Sequence, residues 1–465
     1  MIVMKFGGTS VESAAAIKRV AGIVRGRLQR QPVVVVSAMG KTTNKLLAMG
    51  EAAAAGSLDE AVRQMANLRD YHLKEGRDVL RDEDFEALDQ TLGSHFAELE
   101  ALLARIAAEG ALTPVLTDSL SAFGERLSSA IVALAFWNFG IPATQVDARR
   151  VVITDSRHTQ AYPLYPRTYA RLAEAVAPLA RAGKVPVLGG FIGSTTDGAT
   201  TTLGRGGSDF SAAIVGAGID AEEIEIWTDV SGMLTCDPRV LPGGHRVKFI
   251  SFAEAAELAY FGAKVLHPST VLPAIEKNIP VLILNSRQPA QQGTRIVSES
   301  VACSNVIKSI ACKPNITVMS VQSARMLMAY GFLRRIFEVF DRYRTPVDVV
   351  STSEVSVSLT VDNTEHIDEI AEELRRIADV RIDSDLSIVC VVGDNVRGTP
   401  GIAARVFGAL RDVNVRMISQ GASLLNLTLV VSTRDLRRAV GALHEEFFSE
   451  LDPLVFEPVN QEQAV

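Results

Sequence analysis

Cysteine is scarce in this chain. The 465 residues hold four, Cys236, Cys303, Cys312 and Cys390, spaced too widely for any CxxC pair. That spacing argues against a disulfide framework or a zinc site and for free thiols in a reducing, cytoplasmic setting. A long apolar run is also missing: 47% of residues are hydrophobic, yet no stretch approaches the roughly 20 residues that cross a bilayer. Basic residues do not cluster. With 47 Lys and Arg against 54 Asp and Glu, the net charge is -7, which leaves no electrostatic footprint for nucleic acid. Met1 leads straight into a β-branched stretch, without the charged region and apolar core of an export signal. What remains is a soluble chain of about three domains directed at small molecules.

A P-loop is lacking too, although one stretch imitates it. "PVVVV" is followed by "SAMGKTTN", residues 37–44. A Walker loop needs a glycine five residues before its Gly-Lys pair, so that backbone amides can wrap a phosphate. Here that place is Val35, inside a strand pattern, and the hydroxyls after it need another purpose.

Up to about residue 295, short β-branched runs alternate with helical patterns: "IVMKFGG", "PVVVVSA", "VPVLGGF", "EIEIWTDV" and "IPVLILNS" are the strands. Such alternation predicts a mostly parallel sheet covered on both faces. Residues 45–135, rich in Ala, Leu and Glu, predict a helical subdomain at one side of a cleft. After about residue 300 a repeat near 70 residues emerges. "YGFLRRIFEVF" superposes on "PGIAARVFGAL" with Gly331 on Gly401, which predicts two small α+β modules. The expected partition is a catalytic domain over 1–295 and modules over 310–390 and 391–457.

Two glycine-rich loops carry the chemistry. In "MKFGGTSV", Lys5 ends the first strand before Gly7 and Gly8, where ligands of α/β sheets gather and amides face anions. In "TTTLGRGGSDFSAA", Arg205, Gly207, Ser208 and Asp209 precede a helix and offer donors for phosphate or carboxylate. Taken singly, the first loop also reads as a tight turn with a solvated lysine, and Asp209 as a helix cap. Thr228, Asp229 and Arg239 in "WTDVSGMLTCDPRV" suit a nucleotide, and "FGAKVLHPST" adds Lys264. A free amino acid needs a carboxylate for its ammonium, a cation for its carboxylate and hydroxyls besides. Glu125, Arg205, Ser37 and Thr43 form that set, although Glu125 alone also reads as a first-turn helix acid.

Together, "KFGGTSV", "SAMGKTTN", "FGERLS", "GGFIGSTTDGATTTLGRGGSD", "WTDVSGMLTCDPRV" and "FGAKVLHP" follow the order found in aspartokinases of the amino acid kinase family. The resemblance extends over nearly the whole chain, because the tail is similar to the paired ACT modules of the monofunctional, lysine-sensitive type. It implies an α/β fold: a three-layer, carbamate kinase-like domain with a mostly parallel sheet, then two ferredoxin-like ACT domains. It also implies transfer of the γ-phosphate of Mg-ATP to the side-chain carboxylate of L-aspartate, the first step towards lysine, threonine and methionine.

By the same resemblance, Lys5 and Asp209 are catalytic. Ser37, Thr43, Glu125, Arg205 and Ser208 hold aspartate. Lys5, Gly7, Gly8, Gly207, Thr228, Asp229, Arg239 and Lys264 lie along ATP, with the three glycine amides on phosphate oxygens. Mg2+ rides on the phosphates, so no protein metal cage is expected. L-Lysine is the implied inhibitor, at Met326, Gly331, Phe332, Leu333, Val347, Asp348, Ser353 and Glu354. In the repeat alignment Asp348 falls on Arg416 and Glu354 on Ala422, so only the first module offers acids to a cationic amino acid; a solvated strand edge is the other reading of those acids. Leu234 stands where relatives commonly carry tyrosine, which weakens any expectation about nucleotide affinity. ACT strands imply a homodimer or a dimer of dimers. The chain stops after the second module, which leaves no room for a fused homoserine dehydrogenase. Rival readings are a kinase of this fold for another acid, such as N-acetylglutamate or glutamate, and a catalytically silent amino acid sensor.

Overall fold

The computed structural model describes residues 1–262, 266, 268–323 and 330–458; Lys264 and Met326 lie outside them. The chain divides into two units, Met1–Gly232 with Leu266–Glu299, and Met233–Val265 with Ser300–Val465.

In the first unit the strands Ile2–Phe6 and Pro32–Val36 are buried at every residue, as expected of central parallel strands covered on both faces. Within this unit the sheet order is Ala143–Val146, Val185–Gly189, Pro32–Val36, Ile2–Phe6, Glu223–Thr228, Val281–Asn285 and Thr294–Val297. All neighbours are parallel except the last pair. Side chains alternate across the sheet. Ile2, Met4 and Phe6 therefore share one core with Ile17 and Val20 of helix Ala14–Arg25 and with Leu127 of helix Phe123–Asn138. Val3 faces the other way, against Gly216 of helix Gly207–Gly218. Lys5 shares the parity of Val3.

The helical subdomain forms as expected. Its longest helix, Asp82–Glu109, buries Leu88, Leu92, Phe96, Leu99, Leu103 and Ile106, a stripe at three- and four-residue spacing that faces the core. Val35 is fully buried in its strand, and Lys41 is exposed just before helix Thr42–Ala54. No phosphate loop forms there.

The second unit is built on a six-stranded antiparallel sheet, ordered Val350–Thr352, Ser356–Val361, Ile307–Gln322, Asp379–Gly393, Asn426–Ser432 and Val415–Gln420. Helices Phe332–Arg342 and Ile402–Ala409 each follow a glycine in the left-handed region, Gly331 at φ 76° and Gly401 at φ 87°. The repeat seen in the sequence is thus a repeat of backbone conformation. The two long strands run through both modules. Residues 318–322 pair with 379–383, while residues 307–313 pair with 388–393 beyond a register shift after Lys313. A half-strand that precedes the first module therefore completes the second. Helix Phe252–Tyr260, closed by a Ser251–Glu254 capping box, joins this unit through Glu257, which accepts from Ser423 Oγ at 2.6 Å and Asn426 Nδ2 at 2.7 Å.

Candidate active site

The carboxyl ends of the central strands converge on a cavity of about 290 Å³ in the first unit. Strand parity aims Lys5 at helix Gly207–Gly218, whose first turn carries Asp209. Lys5 Nζ lies 2.6 Å from Asp209 Oδ1, and the lysine is only 8% exposed. Gly206, at φ 69°, starts that helix without a side-chain cap, so Asp209 is an ion-pair partner and not the cap.

The same cavity is lined by Ser37, Thr43, Glu125 and Ser208. Glu125 enters from the first turn of helix Phe123–Asn138 and is 3% exposed. Its Oε1 accepts from the Ala38 N–H at 3.2 Å, whereas Oε2 is buried without a hydrogen-bond partner among the described residues. Burial pushes this carboxyl up to about 8, against the opposing pull of the Ala38 amide. A buried oxygen left unpaired costs about 1–3 kcal/mol, a cost that a bound cation would remove.

Close backbone approach explains two glycines of the motifs. A Cβ on Gly8 would lie 2.8 Å from the Ala38 carbonyl, and one on Gly190 would lie 2.8 Å from Ser208 Cβ. Two of the three glycine amides expected on phosphate are engaged with backbone carbonyls in this structure. Gly7 N–H donates to Trp227 O at 3.2 Å and Gly207 N–H to Gly204 O at 3.0 Å, so both donors are spent on backbone. Arg205 is exposed on the turn between Gly204 and Gly206, which line the cavity. Phe191, at φ 64°, lines it as well; the preceding Gly-Gly pair was its only trace in the sequence. Thr228 and Asp229 close the adjacent strand, since Phe6 pairs with Trp227 and brings Thr228 beside Gly7. Arg239 belongs to the second unit, where it pairs with Asp237 at 2.6 Å. Among the described residues no cluster of three or more His, Cys, Asp or Glu could hold a metal ion, and no helix is long and apolar enough to cross a membrane.

The acids singled out in the first module differ in setting. Asp348 is nearly buried, its side chain 8% exposed, and its Oδ2 lies 2.8 Å from Lys313 Nζ, which also meets Asp362 Oδ2 at 2.7 Å. Burial raises the Asp348 carboxyl, with Lys313 opposing, and Tyr260 hydrogen-bonds to the same group. Lys313, Asp362 and Tyr260 were not legible as partners, because each comes from a distant part of the chain. Glu354 is exposed, Ser353 Oγ lies 2.7 Å from Ser356 Oγ, Phe332 is buried, Leu333 is exposed and Val347 is partly buried.

Comparison with known proteins agrees with this architecture. The model of the amino acid kinase family matches residues 1–285, and an ACT domain model matches residues 389–447. Aspartokinase 2, chloroplastic, of Arabidopsis thaliana is 39% identical over 97% of this chain and 85% of its own length. Lysine-sensitive aspartokinase 3 of Escherichia coli is 36% identical over 96% of this chain and 99% of its own. The crystal structure of E. coli aspartokinase III in complex with lysine and aspartate superposes with a TM-score of 0.85 at 34% identity, covering 96% of this chain and 99% of that one. The complex of the same enzyme with aspartate and ADP gives a TM-score of 0.80 at 34% identity, with coverage of 96% and 100%. Likeness on this scale, in sequence and in fold together, means that the chain belongs to the aspartokinases of the amino acid kinase family.

Proposed function

We propose that the cavity binds L-aspartate with its ammonium on Glu125 and its α-carboxylate on Arg205, while Lys5 steadies the γ-phosphate of Mg-ATP as it passes to the side-chain carboxylate. The observation that carries this reading is the unpartnered, buried Oε2 of Glu125 in the same cavity as the Lys5–Asp209 pair. The attacking group is already an anion, so no general base is required. Catalysis then consists of alignment and charge neutralisation. Asp209 holds Lys5 in place; Ser37, Thr43 and Ser208 offer hydroxyls to aspartate. Gly7, Gly8 and Gly207 allow the backbone to come close to phosphate, and Thr228, Asp229, Arg239 and Lys264 accompany the nucleotide. Mg2+ arrives as part of the substrate, held by phosphate oxygens. The product, 4-phospho-L-aspartate, is an acyl phosphate that feeds lysine, threonine and methionine synthesis in the cytoplasm.

The tail serves feedback inhibition by L-lysine at the first module, with Asp348 taking the side-chain ammonium and Met326, Gly331, Phe332, Leu333, Val347, Ser353 and Glu354 around it. The complex of E. coli aspartokinase III with lysine and aspartate supports this reading, as does the setting of Asp348, which already accepts an ammonium from Lys313. Residues 1–295 form the catalytic domain, 310–390 contain the effector module, and the second module, 391–457, is completed by residues 307–313 and 388–390, with ACT strands joining subunits into a dimer.

The test is to incubate the protein with Mg-ATP, L-aspartate and hydroxylamine, which traps an acyl phosphate as hydroxamate, with and without L-lysine. Hydroxamate that disappears with lysine is the expected result. Hydroxamate indifferent to lysine would remove the effector assignment alone, and none at all would remove the catalytic one.

A further inference from the structure

Asp118 does not line the cavity, yet it ties together the segments that do. It sits in helix Pro114–Ser121 with 0% exposure. Its Oδ2 lies 2.7 Å from His158 Nδ1, the Thr159 N–H donates to both oxygens at 3.0 Å, and Thr202 Oγ1 donates to Oδ1 at 2.5 Å. Charge-assisted hydrogen bonds of this kind are roughly twice as strong as neutral ones. An acceptor at that distance also selects the His158 tautomer with its proton on Nδ1.

What these donors belong to matters more than their number. Thr202 ends strand Thr200–Thr202, two residues before Gly204, which begins the turn bearing Arg205. Gly204 has φ 77°, and a Cβ there would lie 3.3 Å from the Thr159 carbonyl, so the turn rests on the very residue whose amide Asp118 holds. Thr159 itself stands at φ 69°, a conformation that costs a non-glycine residue about 1–2 kcal/mol and needs an external hold. The backbone agrees: Ala161 N–H donates to Thr202 O at 2.9 Å and Leu203 N–H to Phe191 O at 2.9 Å. On its other side, Asp118 precedes Glu125 by seven residues, in the helix that leads into helix Phe123–Asn138.

We propose that Asp118 is a positioning residue for the amino acid substrate: it sets the distance between Glu125 and the Gly204–Arg205–Gly206 turn, and so the separation of the groups that grip the two α-substituents. The nucleotide side, on the first glycine loop and the end of strand Glu223–Thr228, is not tied to it. The proposal rests on the reading of Glu125 and Arg205 given above.

Steady-state kinetics with both substrates test it. Asp118→Ala raises KM for aspartate tenfold or more while KM for ATP stays within twofold. Asp118→Asn, which keeps an acceptor for Thr159 and Thr202, recovers most of that loss. Thr202→Val removes one hydroxyl without changing shape and raises KM for aspartate severalfold, which keeps the test open should Asp118→Ala fail to fold. Equal rises in both KM values, or an unchanged KM for aspartate in Thr202→Val, would overturn the proposal. Arg205→Ala separates the two readings. If it raises KM for aspartate while the Asp118 and Thr202 variants do not, only the positioning role fails; if it has no effect, the carboxylate clamp fails and the positioning role with it.

Discussion

Glu125 is the residue on which the chemistry of the site turns. With the Glu125 carboxyl pushed up to about 8 by burial, it carries a proton at neutral pH, which the substrate ammonium of the proposed reading must displace. Aspartate binding therefore strengthens as pH rises towards 8 and levels off above it. KM for aspartate should fall by roughly 50-fold between pH 6 and pH 8, with KM for ATP nearly flat. Glu125→Gln cannot ionise; it should raise KM for aspartate by about 100-fold, the ~3 kcal/mol scale of a lost buried charge pair, and flatten the profile. A pH dependence that survives in Glu125→Gln would assign it to another group. Residues such as Lys5, Glu125 and Asp209 were legible from sequence because each sits within a few positions of a glycine, a strand end or a helix start. Asp118 and Lys313 were not. The first meets Thr202 across 84 positions and the second meets Asp348 across 35, and no local pattern marks either pairing.

At the scale of elements, the first module holds its acids in a pre-paired state. Lys313 stands at the register shift of strand Ile307–Gln322 and presents to Asp348 and Asp362 the ammonium that an effector lysine would bring. If Asp348 takes the side-chain ammonium of L-lysine as proposed, Lys313→Met removes an internal competitor. The expected result is inhibition at three- to tenfold lower L-lysine, about 1 kcal/mol, with uninhibited activity unchanged; an unaltered inhibition curve would show that the two ammonium groups do not compete. The parallel sheet, the helical subdomain and the two similar modules were all readable, because hydrophobic period and glycine position are local signals. The pairing of residues 307–313 with 388–393 was not, since strand order in an antiparallel sheet is a long-range property that the repeat leaves undetermined.

For the whole molecule, burial of histidine makes acid the vulnerable side. His72 is 0% exposed, its Nδ1–H donates to Leu68 O at 2.8 Å, and burial brings it down to about 4. The folded chain holds it neutral while the unfolded chain protonates it near 6.5, so its contribution is complete above pH 6.5 and is lost as pH falls towards 4. By linkage the loss at pH 5 is about 2 kcal/mol. Urea unfolding of the wild type at pH 7 and pH 5 should show a gap larger than that, since His95 and His444 are lowered likewise, and His72→Phe, which retains ring packing against Tyr71 and Phe96, should narrow it by about 2 kcal/mol. An unchanged gap would move the acid sensitivity to His95 or His444, both also lowered to about 4 by burial.

The half-strand that precedes one module and completes the other has a consequence for how such a chain can be taken apart. No single cut within residues 314–393 releases a whole module, because the piece that finishes the second lies ahead of everything that forms the first. The first module is thus an insertion within a split one. Excising residues 317–383 and joining the ends with a short turn leaves a continuous hairpin between the two inner strands, whereas trimming the chain from its C-terminus bares a sheet edge. In domain-swapping terms, the first module is the removable cassette and the C-terminal module is the frame that carries it.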